Sequence, residues 1–220
     1  MRRTKFTAAY VSVLAIFLGS LSSGCNRGAM RLYGLGASFP PAATNFSSKT
    51  THLEKLFVSL PVDKTAQYYD QFIAGTSWQG TRTDTFGSGE MSNLVYRELR
   101  REIQSAKIFS GIDQERTENG LVLETEIRSF GAQVRGLFWM RVGGVAAFKF
   151  TLRRNEGVLF EKVYEKVVKD GDPEYTGSSF GFIEDAMRAT MSDSFREVLK
   201  AFFSDLEQLS ISPQQLPSAE

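Results

Sequence analysis

Few side chains in this 220-residue sequence could do chemistry, and the single cysteine, Cys25, is the most informative. The only histidine, His52, lies in a linker-like segment, so the folded part offers no histidine as a catalytic base. No cluster of His and Cys has the spacing of a zinc site, and no phosphate-binding glycine loop is present. We therefore predict no catalytic residue, no metal and no cofactor, and we do not expect an enzyme.

Pairs of carboxylates are the remaining candidates for acid–base chemistry. Glu124 and Glu126, and again Glu161 and Glu165, alternate with other residues along predicted strands. That spacing places them on a solvated face, where solubility and cross-strand pairing explain them better than catalysis does. Only an enzyme built from carboxylates alone remains compatible with this composition.

The residues before Cys25 have the layout of a signal peptide. Arg2, Arg3 and Lys5 form a basic start, an apolar core of about 14 residues comes next, and small residues lead up to the cysteine. The apolar core is shorter than the roughly 20 residues that span a bilayer. Residues 1–24 are therefore predicted to be a signal peptide rather than a permanent transmembrane anchor.

The sequence "LSSGC" resembles the lipobox of bacterial lipoproteins, although Ser22 stands where that family usually has Leu. The resemblance implies a diacylglycerol on the Cys25 thiol, cleavage before it, and an acylated amine, with palmitate-type chains as the membrane anchor. A plain signal peptide with an incidental cysteine is the alternative. By the family's sorting rule, Asn26 favours the periplasmic leaflet of the outer membrane over the inner membrane.

Composition limits which partners, which covalent cross-links and how many domains the chain beyond the anchor can have. The full chain has 26 basic and 25 acidic residues, so loss of three basic residues with the signal leaves a net charge of about −2. Nothing points to nucleic acid, and with one cysteine no intrachain disulfide can form. Residues 25–53 are predicted to be a flexible, lipid-anchored tether, 54–210 a single domain, and 211–220 a disordered tail.

The periodicity along the domain predicts an α+β fold. A strand over Lys55–Val62, an amphipathic helix over residues 90–106, a short strand at "KIFSG" and three alternating strands precede a long amphipathic helix ending near Leu209. On the last strand, Leu159, Val163 and Val167 are expected to face the core. The tight turn at "RRNEG" indicates a hairpin. We expect a mixed, mostly antiparallel sheet of about four to five strands with two helices packed on one face.

Two groups of aromatic residues are candidates for a partner or ligand surface. Aromatic residues, Met and Arg are enriched at contact sites. Trp139 belongs to the run "LFWM", which a doubly buried strand explains better than an exposed patch, and the adjacent Gly143 and Gly144 would allow a bend or bulge. The other group lies in a long polar loop, where burial and contact are equally open; its candidates are Tyr68, Tyr69, Phe72, Trp78 and Arg82.

With its lipobox, its tether and this order of strands and helices, the chain resembles auxiliary lipoproteins of ABC-type transport systems that serve lipid traffic, and YajG-like lipoproteins. Their α+β domain is akin to the N-terminal domain of TolB. The matching features are the strand "KLFVSLPV", the helix "SGEMSNLVYRELRREI", the strand "LVLETEIRSF", the hairpin and the long last helix. The resemblance is one of pattern and brings no site residues with it.

The resemblance implies a non-catalytic accessory or binding subunit of an envelope lipid-transport complex, with a protein partner. The alternatives are a structural or regulatory lipoprotein that contacts a cell-wall synthase or assembles with itself, and a binder of small apolar ligands. The sequence does not name the partner or the oligomeric state.

Overall fold

The computed structural model describes residues 43–80, 90–135, 141–169 and 180–209, without side chains for 134, 135, 141 and 180–184. The predicted signal peptide, Cys25, Arg82, Trp139 and the predicted tail lie outside these ranges. The strands are β1 (His52–Val58), β2 (Val62–Asp63), β3 (Phe109–Asp113), β4 (Leu121–Arg135), β5 (Arg141–Arg154) and β6 (Gly157–Lys169). The helices are α1 (Thr65–Tyr68), α2 (Glu90–Ala106) and α3 (Phe180–Gln208).

The six strands form one mixed sheet in the order β3-β1-β4-β5-β6, with β2 also pairing with β4. The strands β4, β5 and β6 form an antiparallel meander, whereas β1 runs parallel to both β3 and β4. Parallel neighbours require a crossover connection, and α2 lies in the chain between β1 and β3. The predicted α+β fold with two helices on one face of the sheet is confirmed.

One hydrophobic core joins this face of the sheet to α2 and α3. The predicted stripe of α2, from Met91 to Ile103, is buried, and so is the stripe of α3 from Met187 to Leu206. Gly144 of β5 lets α3 approach closely, because a Cβ there would lie 1.9 Å from the carbonyl oxygen of Thr190. Aromatic rings fill the centre, where Phe150 stacks on Phe202 at 4.1 Å between centroids. The apolar stripe of each helix is thus buried in the core.

The orientation predicted for β6 is wrong. Leu159 and Val163 are 39% and 37% exposed, while Tyr164 is buried. The pairing with β5 explains this, because Tyr164 lies opposite the buried Phe148 and therefore shares its face. The Tyr164 hydroxyl donates to Asp205 of α3, so a phenol reaches the core face without leaving its polar end unpaired.

The first predicted strand is also corrected. It begins earlier, at His52, and it breaks after Val58 instead of running to Val62. Pro61 has no amide hydrogen to donate to a ladder, and the chain resumes pairing with β4 only at Val62.

Residues 43–51, placed in the tether by their composition, are bonded to the domain. The backbone amide and hydroxyl of Thr44 both donate to Glu102 Oε2, at 2.8 and 2.9 Å. The Ser48 amide donates to the carbonyl of Ala106 at 2.9 Å, and the Phe46 ring meets Phe203 edge-on. This stretch, called the strap below, lies along α2 and α3 and extends the domain towards the N-terminus.

Candidate functional site

The predicted contact loop folds over the face of the sheet that α2 and α3 leave uncovered. The Lys64 amide donates to the carbonyl of Ile127 at 2.8 Å, α1 comes next, and residues 71–80 then fold back on themselves. A single bridge joins Phe72 to Gln79. We call residues 64–80 the outer segment.

Trp78 anchors the outer segment. It is 3% exposed and belongs to a small buried cluster with Ile73, Val145 and Ala147. A Cβ at Gly143 would lie 2.6 Å from its Cη2 atom, so the indole occupies the space that this glycine leaves open. A Trp78→Ala substitution would therefore remove packing and is a poor test of partner contact.

Hydrogen bonds from the sheet hold the outer segment in place. Gln133 donates from Nε2 to the carbonyl of Gln79 at 2.6 Å, and the Ala74 amide donates to Glu165 Oε2 at 2.8 Å. These bonds tie the segment to β4 and to β6, the first and the last strand of the meander. The segment is thereby fixed as a platform on the sheet.

The remaining candidates lie nearer the surface of this platform. Phe72 is 62% exposed, and Tyr68 and Tyr69 are half-buried. The guanidinium of Arg128 lies over the Tyr68 ring, 4.8 Å from its centroid, a geometry that favours a cation–π interaction. The structure thus brings Tyr68, Tyr69 and Phe72 together on one segment, with Trp78 buried. The candidates Arg82 and Trp139 lie outside the described ranges.

The acid pairs take part in cross-strand contacts on the same face of the sheet. Arg153 donates to Glu124 at 2.9 Å, and Lys149 lies 3.0 Å from Glu161, as the alternation predicts. The hydrogen bond from Lys149 lowers the pKa of Glu161 below its ordinary value. These carboxylates are engaged with cations of the neighbouring strand.

Sequence reasoning missed two buried carboxylates on α2. Glu98 and Glu102 are 6% and 4% exposed, and Arg101 between them pairs with both. Glu102 also accepts the two hydrogen bonds from Thr44. The helical wheel assigns Glu98 to the solvated face, and the strap that covers Glu102 could not be foreseen from its composition.

The only histidine of the sequence, His52, packs against the domain and contacts β3 and α3. His52 lies 5.4 Å from the Phe109 ring, and its Nε2 is 3.1 Å from the carbonyl of Leu206. Within the described ranges, no three side chains of His, Cys, Asp or Glu are close enough to hold a metal ion. None of the helices in the same ranges has the length and apolar composition needed to cross a membrane.

No family model and no curated protein matches this sequence. Among solved structures, it is similar to a DUF330 protein from Xanthomonas campestris, with 8% identity, 74% of this chain and 93% of that chain covered, and a TM-score of 0.45. A minor lipoprotein from Acinetobacter baumannii has 10% identity, with 70% and 93% covered and a TM-score of 0.38. A lipoprotein from Neisseria meningitidis has 12% identity, with 70% and 99% covered and a TM-score of 0.25. Bacterial lipoproteins are thus among the structures it is similar to, and a likeness this low assigns no role.

Proposed function

We propose that this chain is a lipid-anchored lipoprotein of the bacterial envelope and acts there as a non-catalytic accessory or binding subunit of a lipid-transport complex. The observation that carries the lipid anchor is the basic, apolar and small-residue succession that ends at Cys25. The lipid-transport role comes only from the resemblance in the order of strands and helices. A diacylglycerol and an acylated amine at one residue would supply the two or more chains that stable anchoring requires. Asn26 favours the outer membrane, with the domain in the periplasm.

The anchor can be tested on the whole protein. Expressed in bacteria, the chain should incorporate labelled palmitate and should begin at Cys25 by mass spectrometry. A Cys25→Ser variant should lose both the label and its membrane association. The label retained in Cys25→Ser, or an unmodified thiol at Cys25 in the wild type, would contradict the proposal.

The outer segment is the surface we assign to the partner, and Phe72 is the position that tests it. Its side chain is 62% exposed, so a photoreactive phenylalanine there should leave the fold intact and still reach a bound protein. Leu53, 84% exposed at the start of β1, is the matched control. We expect crosslinks from position 72 in cells and a different or empty pattern from position 53.

The identity of the crosslinked protein separates the candidate functions. A permease or a substrate-binding component supports the transport role. A wall synthase or a second copy of this chain supports the structural or regulatory alternative instead. The same products from positions 72 and 53 would contradict a role for the outer segment.

A further inference from the structure

The long edge of the sheet at β6 is open to pairing in the part of the chain that the structure describes. There β6 pairs with β5 alone, and it is 13 residues long. An unpaired edge presents alternate backbone N–H and C=O groups to its surroundings, which is the template that an added strand uses. The other edge strand, β3, has only five residues.

A groove lies beside this edge, between β6 and α3. Its volume is about 320 Å³, and small side chains on α3, Ala201 and Ser204, keep it open. We call it the β6 groove; its lining residues are Tyr164, Glu165, Lys166, Glu197, Val198, Lys200, Ala201 and Ser204. A strand added to β6 would lie about 4.8 Å from it and would direct every second side chain towards α3. The groove lies where those side chains would go.

The charges in the β6 groove favour an acidic ligand. Lys166 is exposed and makes no ion pair among those the structure describes, whereas Glu165 accepts the Ala74 amide. Glu197 is already shared between Lys200, at 3.1 Å, and Arg196, at 3.9 Å. Glu165 lies on the face away from α3, because it pairs with Ala147 of the outer face of β5. Glu197 is offset by its two cations, so Lys166 is the charged residue facing α3 that has no ion-pair partner among the described residues.

The opposite face of β6 offers two apolar side chains to the same strand, and the carboxylates of that face, Glu161 and Glu165, are held by Lys149 and by the Ala74 amide. Val158 and Val163 are 49% and 37% exposed. Both pair with residues of the outer face of β5, Val158 with Arg153 and Val163 with Lys149. A strand with acidic residues towards the groove and apolar residues on its other side would match both faces.

We propose that the β6 edge binds an extended segment of a partner protein as an added strand, with acidic side chains at alternate positions entering the β6 groove beside Lys166. Lysines on an edge strand also discourage unspecific pairing, so Lys166 both protects this edge and selects a partner of matching charge. This inference rests on the proposed function only in that the partner is a protein, and it concerns a surface other than the outer segment.

The probe is a fluorescent seven-residue peptide, Thr-Glu-Val-Glu-Val-Glu-Thr, with blocked ends, titrated into the mature protein. A peptide with Lys in place of Glu tests the charge. Two further peptides carry N-methyl groups on all Glu or on all Val residues. Alternate N–H groups of a strand point to opposite sides, so one N-methylated set should abolish binding and the other should leave it within about twofold.

Protein variants test the residues. Lys166→Glu should weaken binding of the acidic peptide about tenfold, which is about 1.4 kcal/mol, and should restore binding of the Lys peptide. Arg97→Glu, the same charge change at an exposed position on α2, is the control and should have no effect. Circular dichroism should show both variants folded.

No binding of the acidic peptide at millimolar concentration would overturn the inference, and so would binding of both N-methylated peptides or of neither. Equal losses in Lys166→Glu and Arg97→Glu would reduce the effect to net charge and would also overturn it. Crosslinks from position 72 together with a failed peptide test would leave the proposed function standing without this strand site.

Discussion

At the scale of single residues, Gly144 is the glycine, among those the structure describes, where an added methyl group would clash most severely with other atoms. Its Cβ would lie 1.9 Å from the Thr190 carbonyl oxygen and 2.4 Å from the Met191 nitrogen, which are backbone atoms of α3. Gly144→Ala must therefore push α3 away from β5. We expect the free energy of unfolding to fall by about 2 kcal/mol or more, as overpacking of a core does, in urea denaturation.

Gly111→Ala is the control for this prediction. Gly111 is also in a strand, but a Cβ there meets only the flexible side chain of Lys55, at 3.7 Å or more. Its effect should stay within about 0.5 kcal/mol. Equal effects of the two substitutions would show that the approach of α3 to β5 is not tight.

The paired glycines also show what residue-level reasoning could not reach. Gly143 and Gly144 were expected to allow a bend or bulge, but the register of β4 and β5 runs through them without a shift. Instead, Gly143 leaves room for Trp78 on one face and Gly144 leaves room for α3 on the other. Both contacts join residues far apart in sequence, and no local pattern encodes them.

At the scale of elements, a regular spacing of apolar residues predicted the structure correctly, and an irregular spacing did not. The helix predicted over residues 90–106 has those bounds in the structure, because its apolar stripe is regular. On β6, apolar residues occur on both faces, so their number on each face could not show which face is directed towards the core. The pairing of β6 with β5 determines which face is directed towards the core, because it places Tyr164 opposite Phe148 and Lys162 opposite Phe150.

The contact between β6 and α3 predicts a pH dependence of stability. Burial raises the pKa of Asp205, but hydrogen bonds from Lys162, at 2.6 Å, and from Tyr164 outweigh it and hold the pKa below its ordinary value of 3.8. A carboxyl whose pKa falls on folding stabilises the protein above its unfolded pKa. That contribution is lost as the pH drops from 3.8 through the lower folded pKa.

Asp205→Asn is the substitution that tests this. At pH 7 it should lower the free energy of unfolding by about 1 to 2 kcal/mol, because it removes charge-assisted hydrogen bonds at a partly exposed site. The difference from wild type should narrow below pH 3.8. Asp193→Asn breaks a surface ion pair with Arg196 on the same helix and should cost less than about 0.5 kcal/mol. A gap between wild type and Asp205→Asn that stays constant down to pH 2 would contradict the assignment.

At the scale of the whole molecule, the strap changes where the domain begins. Composition alone predicts that the tether ends at residue 53, because residues 43–51 show no helical or strand periodicity. In the structure these residues form hydrogen bonds and one aromatic contact with α2 and α3, which exist only once those helices have folded. The sequence between Cys25 and the strap, residues 26–42, has 17 residues, so the predicted tether would span at most about 60 Å. The strap also fixes where the chain enters the domain, beside Glu102 of α2.

Two truncated chains test this assignment. One begins at Ala43 and keeps the strap, and the other begins at His52 and keeps all of β1. Loss of the strap should lower the free energy of unfolding by about 3 kcal/mol, because the buried Glu102 loses its two hydrogen bonds from Thr44 and the Phe46 ring no longer packs against Phe203. Urea denaturation measures the difference.

Glu102→Ala in both chains then isolates the contact with Thr44. In the chain that begins at Ala43 it removes the acceptor of two hydrogen bonds and a partner of Arg101, but in the shorter chain Thr44 is already absent. The loss should therefore be larger in the longer chain by about 1 kcal/mol or more, since residues in contact are energetically coupled. An equal loss in both chains would show that the strap does not depend on Glu102. Equal stability of the two unmutated chains would return residues 43–51 to the tether.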